Sequence, residues 1–292
     1  MRQCLPHATI DWVVEESFAA IAQMHPAVRR VIPVGIRRWR KRIASPSVLA
    51  EMLAFRQSLR SESYDCVIDT QGLLKSALIA SQALGTKHGF DAASAREPVA
   101  CRFYDICHRV ARELHAVQRN RALSSAALGF KSSEGCDYGL DARGDNPIRI
   151  RSPYCVMLSM TSRTDKLWPE EHWVALTKAL RARGSECVFP WGNEDEHARC
   201  GRIVRAAGSG LVPRAMSLGE LAVLISASRA VIGVDTGLSH LAAALKVPTV
   251  GLFCGSEPRL TGLFGSGKFK NLGGLRTIPA VAEAVAALQA FE

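Results

Sequence analysis

Nowhere in these 292 residues does an apolar run reach the roughly 20 residues that a membrane-spanning helix needs. The opening stretch, "MRQCLPHATIDWVVEE", lacks the apolar segment of a secretory leader. The nine cysteines are odd in number and never fall at Cys-x-x-Cys spacing, which argues against a disulfide framework or a zinc site. The expectation is a reducing cytoplasm with mostly buried thiols. Gly-x-Gly-x-x-Gly and Gly-Lys-Ser/Thr are both missing, so neither a dinucleotide fingerprint nor a P-loop is present. Asp-x-Asp is missing too, so nothing supports a metal clamp on a pyrophosphate, and neither metal nor cofactor is expected. Aromatic residues are scarce, and only Trp39 interrupts the densest cationic run. With no recognisable binding motif either, a nucleic-acid partner is not expected.

Charge is plentiful, and it is uneven. The formal net charge is +10. Residues 1–130 hold 18 Lys and Arg against 11 Asp and Glu, and residues 131–292 hold 19 against 16. The first half is therefore the better face for an acidic partner, such as an anionic membrane or a phosphorylated substrate. At 48% hydrophobic residues the chain can bury a sizeable core, and its length suits two domains.

Short β-branched runs alternate with helical patterns. "ATIDWVV", "RRVIPV" and "YDCVID" read as strands. "SPSVLAEMLAFRQSLRSE" reads as a helix with Ser45 as N-cap and Pro46 in its first turn. "LLKSALIASQAL" reads as a second helix, and residues 97–128 as a long basic helical stretch of one or two helices. Residues 131–150 are polar, Gly-rich and aperiodic, and read as a linker. Beyond them "YCVML", "ECVFPW", "GLVP", "AVIGV" and "PTVGLF" read as strands, with helices between them. Two successive β-α alternations predict two doubly wound α/β domains, 1–130 and 151–292. Their ligands should sit beyond the carboxyl ends of the strands.

Three such strand ends carry chemistry. "VDTGLSHLAAAL", Val234–Leu245, ends a buried strand in Asp-Thr-Gly and opens a helix. The tripeptide occurs in aspartic proteases, but those need two copies in an all-β setting. Here one copy precedes a helix. Asp235 is open to two compatible readings, a helix cap and a contact to a ligand. The amides of Thr236, Gly237 and Leu238 suit a phosphate. His240, in the next turn, has a structural reading and a ligand reading. "TSRTDKLWPEEHW" follows "YCVML" and offers Thr161, Ser162, Arg163 and Lys166 to phosphate oxygens. "PWGNEDEHAR" places Glu196 where it suits either the helix dipole or a ribose. "RRWRKR", Arg37–Arg42, is the densest cationic run, and its Trp39 suits a sugar face or a headgroup zone. Lys75, Arg96, His115 and Arg119 add further anion contacts.

"DWVVEE", "RVIPVGIRRWRK", "VIDTQGLLKSA", "KHGFDAASAREP", "DKLWPEEHW" and "VDTGLSHLAAAL", in this order, closely resemble the lipopolysaccharide heptosyltransferase I family, from about Asp11 nearly to the carboxyl terminus. The resemblance implies a GT-B fold, two Rossmann-like domains with a cleft between them. It also implies transfer of L-glycero-D-manno-heptose from ADP-heptose to Kdo2-lipid A, inverting and metal-independent, at the cytoplasmic face of the anionic inner membrane. Carried over, Thr161, Ser162 and Lys166 hold the diphosphate, Glu196 the ribose, and Met216 lies beside the adenine. Asp235, Thr236, Gly237 and His240 meet the diphosphate and heptose, with Asp235 and Lys166 supporting the chemistry. Arg37, Arg38, Arg40, Lys41, Arg96, His115 and Arg119 face the acceptor. Family members begin with a strand, then a loop whose Gly-Asp pair supplies the general base. This chain aligns from within the following helix, and its one Gly-Asp, Gly144-Asp145, lies in the linker. The expectation is a first domain weakened by a gap in its sheet and a chain of low activity. The alternative is a non-catalytic remnant that binds an ADP-sugar or anionic lipid.

Overall fold

The runs Tyr154–Leu158 (β6), Ala230–Val234 (β8) and Thr249–Phe253 (β9) are strands in which every residue is buried. Continuous apolar character is what a strand needs when helices cover both faces of its sheet. They belong to a computed structural model that describes residues 1–43, 45–131, 135–150 and 152–292. Two units divide the chain, Met1–Glu134 and Gly135–Glu292.

In the first unit the elements are β1 (Ile10–Glu15), α1 (Ala19–Gln23), β2 (Val28–Val34), α2 (Ile36–Trp39), α3 (Pro46–Leu59), β3 (Ser63–Ile68), α4 (Leu74–Ala80), β4 (Leu84–Phe90), β5 (Ile106–His108) and α5 (Ala116–Leu128). The second unit has β6, α6 (Glu170–Arg181), β7 (Glu186–Val188), α7 (Glu194–Ala207), α8 (Leu218–Ser226), β8, α9 (Gly237–Ala244), β9, α10 (Pro258–Thr261), β10 (Phe269–Gly273) and α11 (Val281–Gln289).

The second unit's sheet runs β10-β9-β8-β6-β7, with every pair parallel. Alternate side chains serve opposite faces. Met157, Ile232 and Leu252 meet α6, α7 and α11 through Trp173, Ile203 and Ala284. Val156 and Val231 meet α8 and α9 through Leu224 and Ala242. Residues 135–150 cluster with this unit. Ile148 and Ile150 pack on its core, and Lys246 pairs with Asp137 at 2.6 Å. The reading of "GLVP" as a strand is corrected, since only Leu211 bridges Val188. β10 was not foreseen.

The first unit holds two sheets, β1-β2 and β3-β4-β5, all parallel, with no ladder joining them among the described residues. β1 and β3 contain no fully buried residue, in contrast with β6, β8 and β9. Side chains bridge the break. Ile32, Val34, Phe55 and Leu59 pack with Tyr64 and Val67. Asp11 accepts from Arg29, Arg30 and the Tyr64 hydroxyl, at 2.8–3.0 Å. The helical reading of residues 97–128 is also corrected. They form a 3-10 turn at Pro98–Phe103, then β5, and only then α5. Tyr104 is the reason. Its hydroxyl donates to buried Asp69 at 2.6 Å and fixes the chain in a strand-side path. Ser45 is the N-cap of α3 with Pro46 behind it, although its hydroxyl meets Ser47 rather than a backbone amide.

Candidate functional site

The order β9-β8-β6 puts three strands side by side, and each ends in a polar turn. β6 lies at the switch point, because the chain moves from it to β7 on one side and to β8 on the other. In open parallel sheets such a point, at the carboxyl ends, is where ligands bind.

Asp235 follows β8 and is the hub. Lys166, in the turn after β6, donates to its Oδ2 at 2.6 Å. Ser256, in the turn after β9, donates to the same oxygen at 2.6 Å. His240 Nε2 stands 3.5 Å from Oδ1. The Thr161 hydroxyl donates to the Asp235 carbonyl oxygen at 3.1 Å, joining the ends of β6 and β8. The Asp235 side chain is only 9% exposed and that of Lys166 19%. Burial alone would raise the Asp235 carboxyl, but hydrogen bonds from His240, Lys166 and Ser256 outweigh it and hold the group well below the usual carboxylate range.

Asp235 does not cap α9. The N-cap is Thr236, whose side chain makes no capping bond. No acceptor among the described residues meets the amides of Thr236, Gly237 and Leu238, and the space beside Gly237 is open. A helix N-terminus with free amides favours an anion. Gly233 makes this geometry possible, since a Cβ there would lie 2.2 Å from the Ser239 hydroxyl, which donates to the Val234 carbonyl oxygen at 2.7 Å. The helix is thereby held close to the strand end.

Ser256 was not foreseen from the sequence. It reaches Asp235 because Gly255 lets its turn approach the turn after β6. A Cβ on Gly255 would lie 2.5 Å from the Asp165 carbonyl oxygen. Gly255→Ala is expected to separate the two turns, lower stability by about 1–3 kcal/mol and break the Ser256 bond. Thermal unfolding checks this, and a variant as stable as the parent would be against it.

The remaining residues singled out for the same site lie along the same edge. Ser162 is exposed in the turn after β6, beside Arg163, which is paired with Asp165. Glu196, in the first turn of α7, accepts from the Gly192 amide at 2.8 Å. Met216 precedes α8 and packs on its apolar cluster. Neither Glu196 nor Met216 is hydrogen-bonded to the Asp235 group.

In the first unit, Arg38 is claimed by two carboxylates, Glu16 at 3.0 Å and Glu51 at 2.7 Å. Arg37 lies over the Phe18 ring, 5.5 Å from its centre, while Arg40 and Lys41 are exposed. His115 is buried and caps α5, its Nδ1 accepting from the Val117 amide at 3.2 Å. Arg119 lies 4.8 Å over the Phe90 ring and donates to the Ser94 carbonyl oxygen, while its buried Nε has no partner. Burial, then Arg112 and Arg96, lower its affinity for a proton. Three guanidinium groups thus gather there, Arg96 exposed among them.

The thiols of Cys155, Cys187 and Cys254 are buried and pushed up to about 11, 12 and 11 by burial, which makes them poor nucleophiles.

Residues 52–282 match the pattern of glycosyltransferase family 9 (heptosyltransferase). The chain is 43% identical over 267 residues to lipopolysaccharide heptosyltransferase 1 of Escherichia coli strain K12, covering 90% of this chain and 84% of that protein. The solved structure of E. coli heptosyltransferase WaaC with ADP superposes with a TM-score of 0.90 at 38% identity, covering 100% of this chain and 92% of the other. A second structure of that enzyme, with ADP-2-deoxy-2-fluoro heptose, gives 0.82 at 38% identity, covering 99% and 91%.

Proposed function

Because the chain belongs to glycosyltransferase family 9, the heptosyltransferases, we propose that it moves a heptose from ADP-heptose to Kdo2-lipid A, with inversion and without a metal. It is a two-domain α/β glycosyltransferase of lipopolysaccharide core synthesis, of the heptosyltransferase I type. The finer reading rests on one observation, the Lys166–Asp235 pair beside the open amides of α9.

In this reading the diphosphate lies against the amides of Thr236, Gly237 and Leu238. The Lys166 ammonium, held in place by Asp235, neutralises the charge that grows on the diphosphate as the glycosidic bond breaks. That positive charge is why no metal is required. Thr161, Ser162 and His240 complete the contacts to diphosphate and heptose, Glu196 holds the ribose, and Met216 lies against the adenine. Arg37, Arg40 and Lys41 meet acceptor phosphates and carboxylates. Arg38 joins them by exchanging Glu16 and Glu51 for the ligand. Arg96 and Arg119 meet the same acceptor, and His115 holds α5 in place. The reaction takes place at the cytoplasmic face of the inner membrane, with the protein held at its surface. No helix among the described residues is long and apolar enough to cross a membrane.

Turnover is low in this reading, because the first unit's sheet is in two pieces and its strands at the break are poorly buried. The test is calorimetry with ADP, followed by an assay of ADP release from ADP-heptose and Kdo2-lipid A with and without EDTA. Micromolar ADP binding with slow, chelator-insensitive release is expected. Rapid release would remove the proposal of low activity, chelator-sensitive release the metal-free one, and absence of ADP binding the donor site itself. Binding without any transfer favours a remnant that holds the donor only.

A further inference from the structure

Helix α3 is apolar on both sides. Val48, Phe55 and Leu59 face the core. On the opposite side Leu49, Met52 and Leu53, at helical spacing i, i+3 and i+4, are 50%, 38% and 65% exposed, and Ile43 just ahead of the helix is 64% exposed. An ordinary surface helix carries polar residues there. The only carboxylate on α3, Glu51, is taken by Arg38 at 2.7 Å and by the Trp39 indole at 2.9 Å. Arg40, Lys41 and Arg42 lead into the helix, and Arg56 lies within its outer face. Among the described residues none of these four cations has an ion-pair partner.

We propose that the outer face of α3, with Ile43, is a docking surface for an anionic lipid bilayer. Leu49, Met52, Leu53 and Ile43 enter the boundary between headgroups and acyl chains. Arg42 and Arg56 lie along the phosphates of the bilayer, next to Arg40 and Lys41 on the acceptor, the Arg56 stem covering the apolar stripe while its head reaches outward. An apolar stripe rimmed by cations and free of carboxylates matches such a surface, where buried apolar area and attraction to acidic lipid act together. A protein partner would need carboxylates placed against four separate cations, whereas a bilayer of acidic lipid supplies negative charge everywhere. This extends the lipid-acceptor reading by naming the surface that brings the protein to its substrate.

The test is co-sedimentation with vesicles of phosphatidylglycerol and phosphatidylcholine, and with phosphatidylcholine alone. The parent chain should bind the acidic vesicles, with added salt reducing binding but not abolishing it. The triple variant Leu49→Gln, Met52→Gln, Leu53→Gln should bind about tenfold more weakly or worse, with its thermal transition unchanged because those side chains are already exposed. Leu53→Trp should gain a vesicle-dependent blue shift in emission. Equal binding of parent and triple variant, no binding by the parent, or an unshifted Leu53→Trp spectrum would each overturn the proposal. So would a parent dimer that the triple variant turns into a monomer, since a second copy would then cover the stripe. ADP calorimetry on the same samples reports the donor site independently, so its failure is told apart from a failure of the lipid surface.

Discussion

Lys166→Ala is expected to weaken ADP binding about tenfold to a hundredfold, the span that a charged hydrogen bond of ~1.5–3 kcal/mol commands. The Lys166 ammonium is mostly buried and already aligned, with a 2.6 Å bond to Asp235. Little side-chain entropy remains to be lost when a diphosphate arrives, so more of the charge interaction should appear as affinity. Arg163, one turn-position away, provides the contrast. It is exposed and paired with its neighbour Asp165, so Arg163→Ala should change ADP affinity by no more than about twofold. Lys166→Arg keeps the charge but not the compact shape, and should fall between the parent and Lys166→Ala. Calorimetric titration with ADP orders the three. If Lys166→Ala bound ADP as the parent does, the diphosphate would lie elsewhere and the reading of this edge would fail.

The legible part of this site was the part written in one stretch. Asp235, Thr236, Gly237 and His240 stand together between a buried strand and a helix, and Thr161 and Lys166 follow a second such strand. Strand-turn-helix alternation marks both as carboxyl ends. The strand order that makes β8 the neighbour of both β6 and β9 was not legible. Ser256 was missed for that reason, because "CGSEP" has no composition signal of its own and gains its role from lying after the neighbouring strand. The same order makes Asp235 a hub and not the cap of α9. A cap needs only the local chain, whereas donors from two other turns, Lys166 and Ser256, require the sheet.

In the first unit β1 to β3 were readable as short apolar runs, and α3 was readable from its Ser45-Pro46 start. β5 was not. Three residues, Ile106–His108, carry no period, and the strand exists because β4 is there to pair with and because Tyr104 is tied to Asp69. β10 has the same origin. "FKNLG" is a weak strand sequence that lies in register along β9, Phe269 opposite Thr249. Tertiary pairing overrides propensity at both places.

Asp235→Asn is expected to lower stability by about 2–3 kcal/mol, somewhat below the loss for a fully buried pair, because 19% of the Lys166 side chain still meets solvent. For a chain of this size that is a fall in melting temperature of about 3–5 °C. The sign of the pH dependence follows from the direction of the shift. The folded Asp235 carboxyl is held below its unfolded value of about 4, so its contribution is complete above that value and is lost as pH falls below it. The melting temperatures of parent and variant should therefore differ most at neutral pH and converge on acidification below about pH 4. Saturating ADP should narrow the neutral-pH gap, because a diphosphate supplies the Lys166 ammonium with the negative charge that the variant has removed. This is a sharper test than either melting curve alone. A gap that closed in acid but ignored ADP would mean that Lys166 serves Asp235 only and does not face the diphosphate. A gap that closed in both would mean that one cation, Lys166, meets both anions, carboxylate and diphosphate.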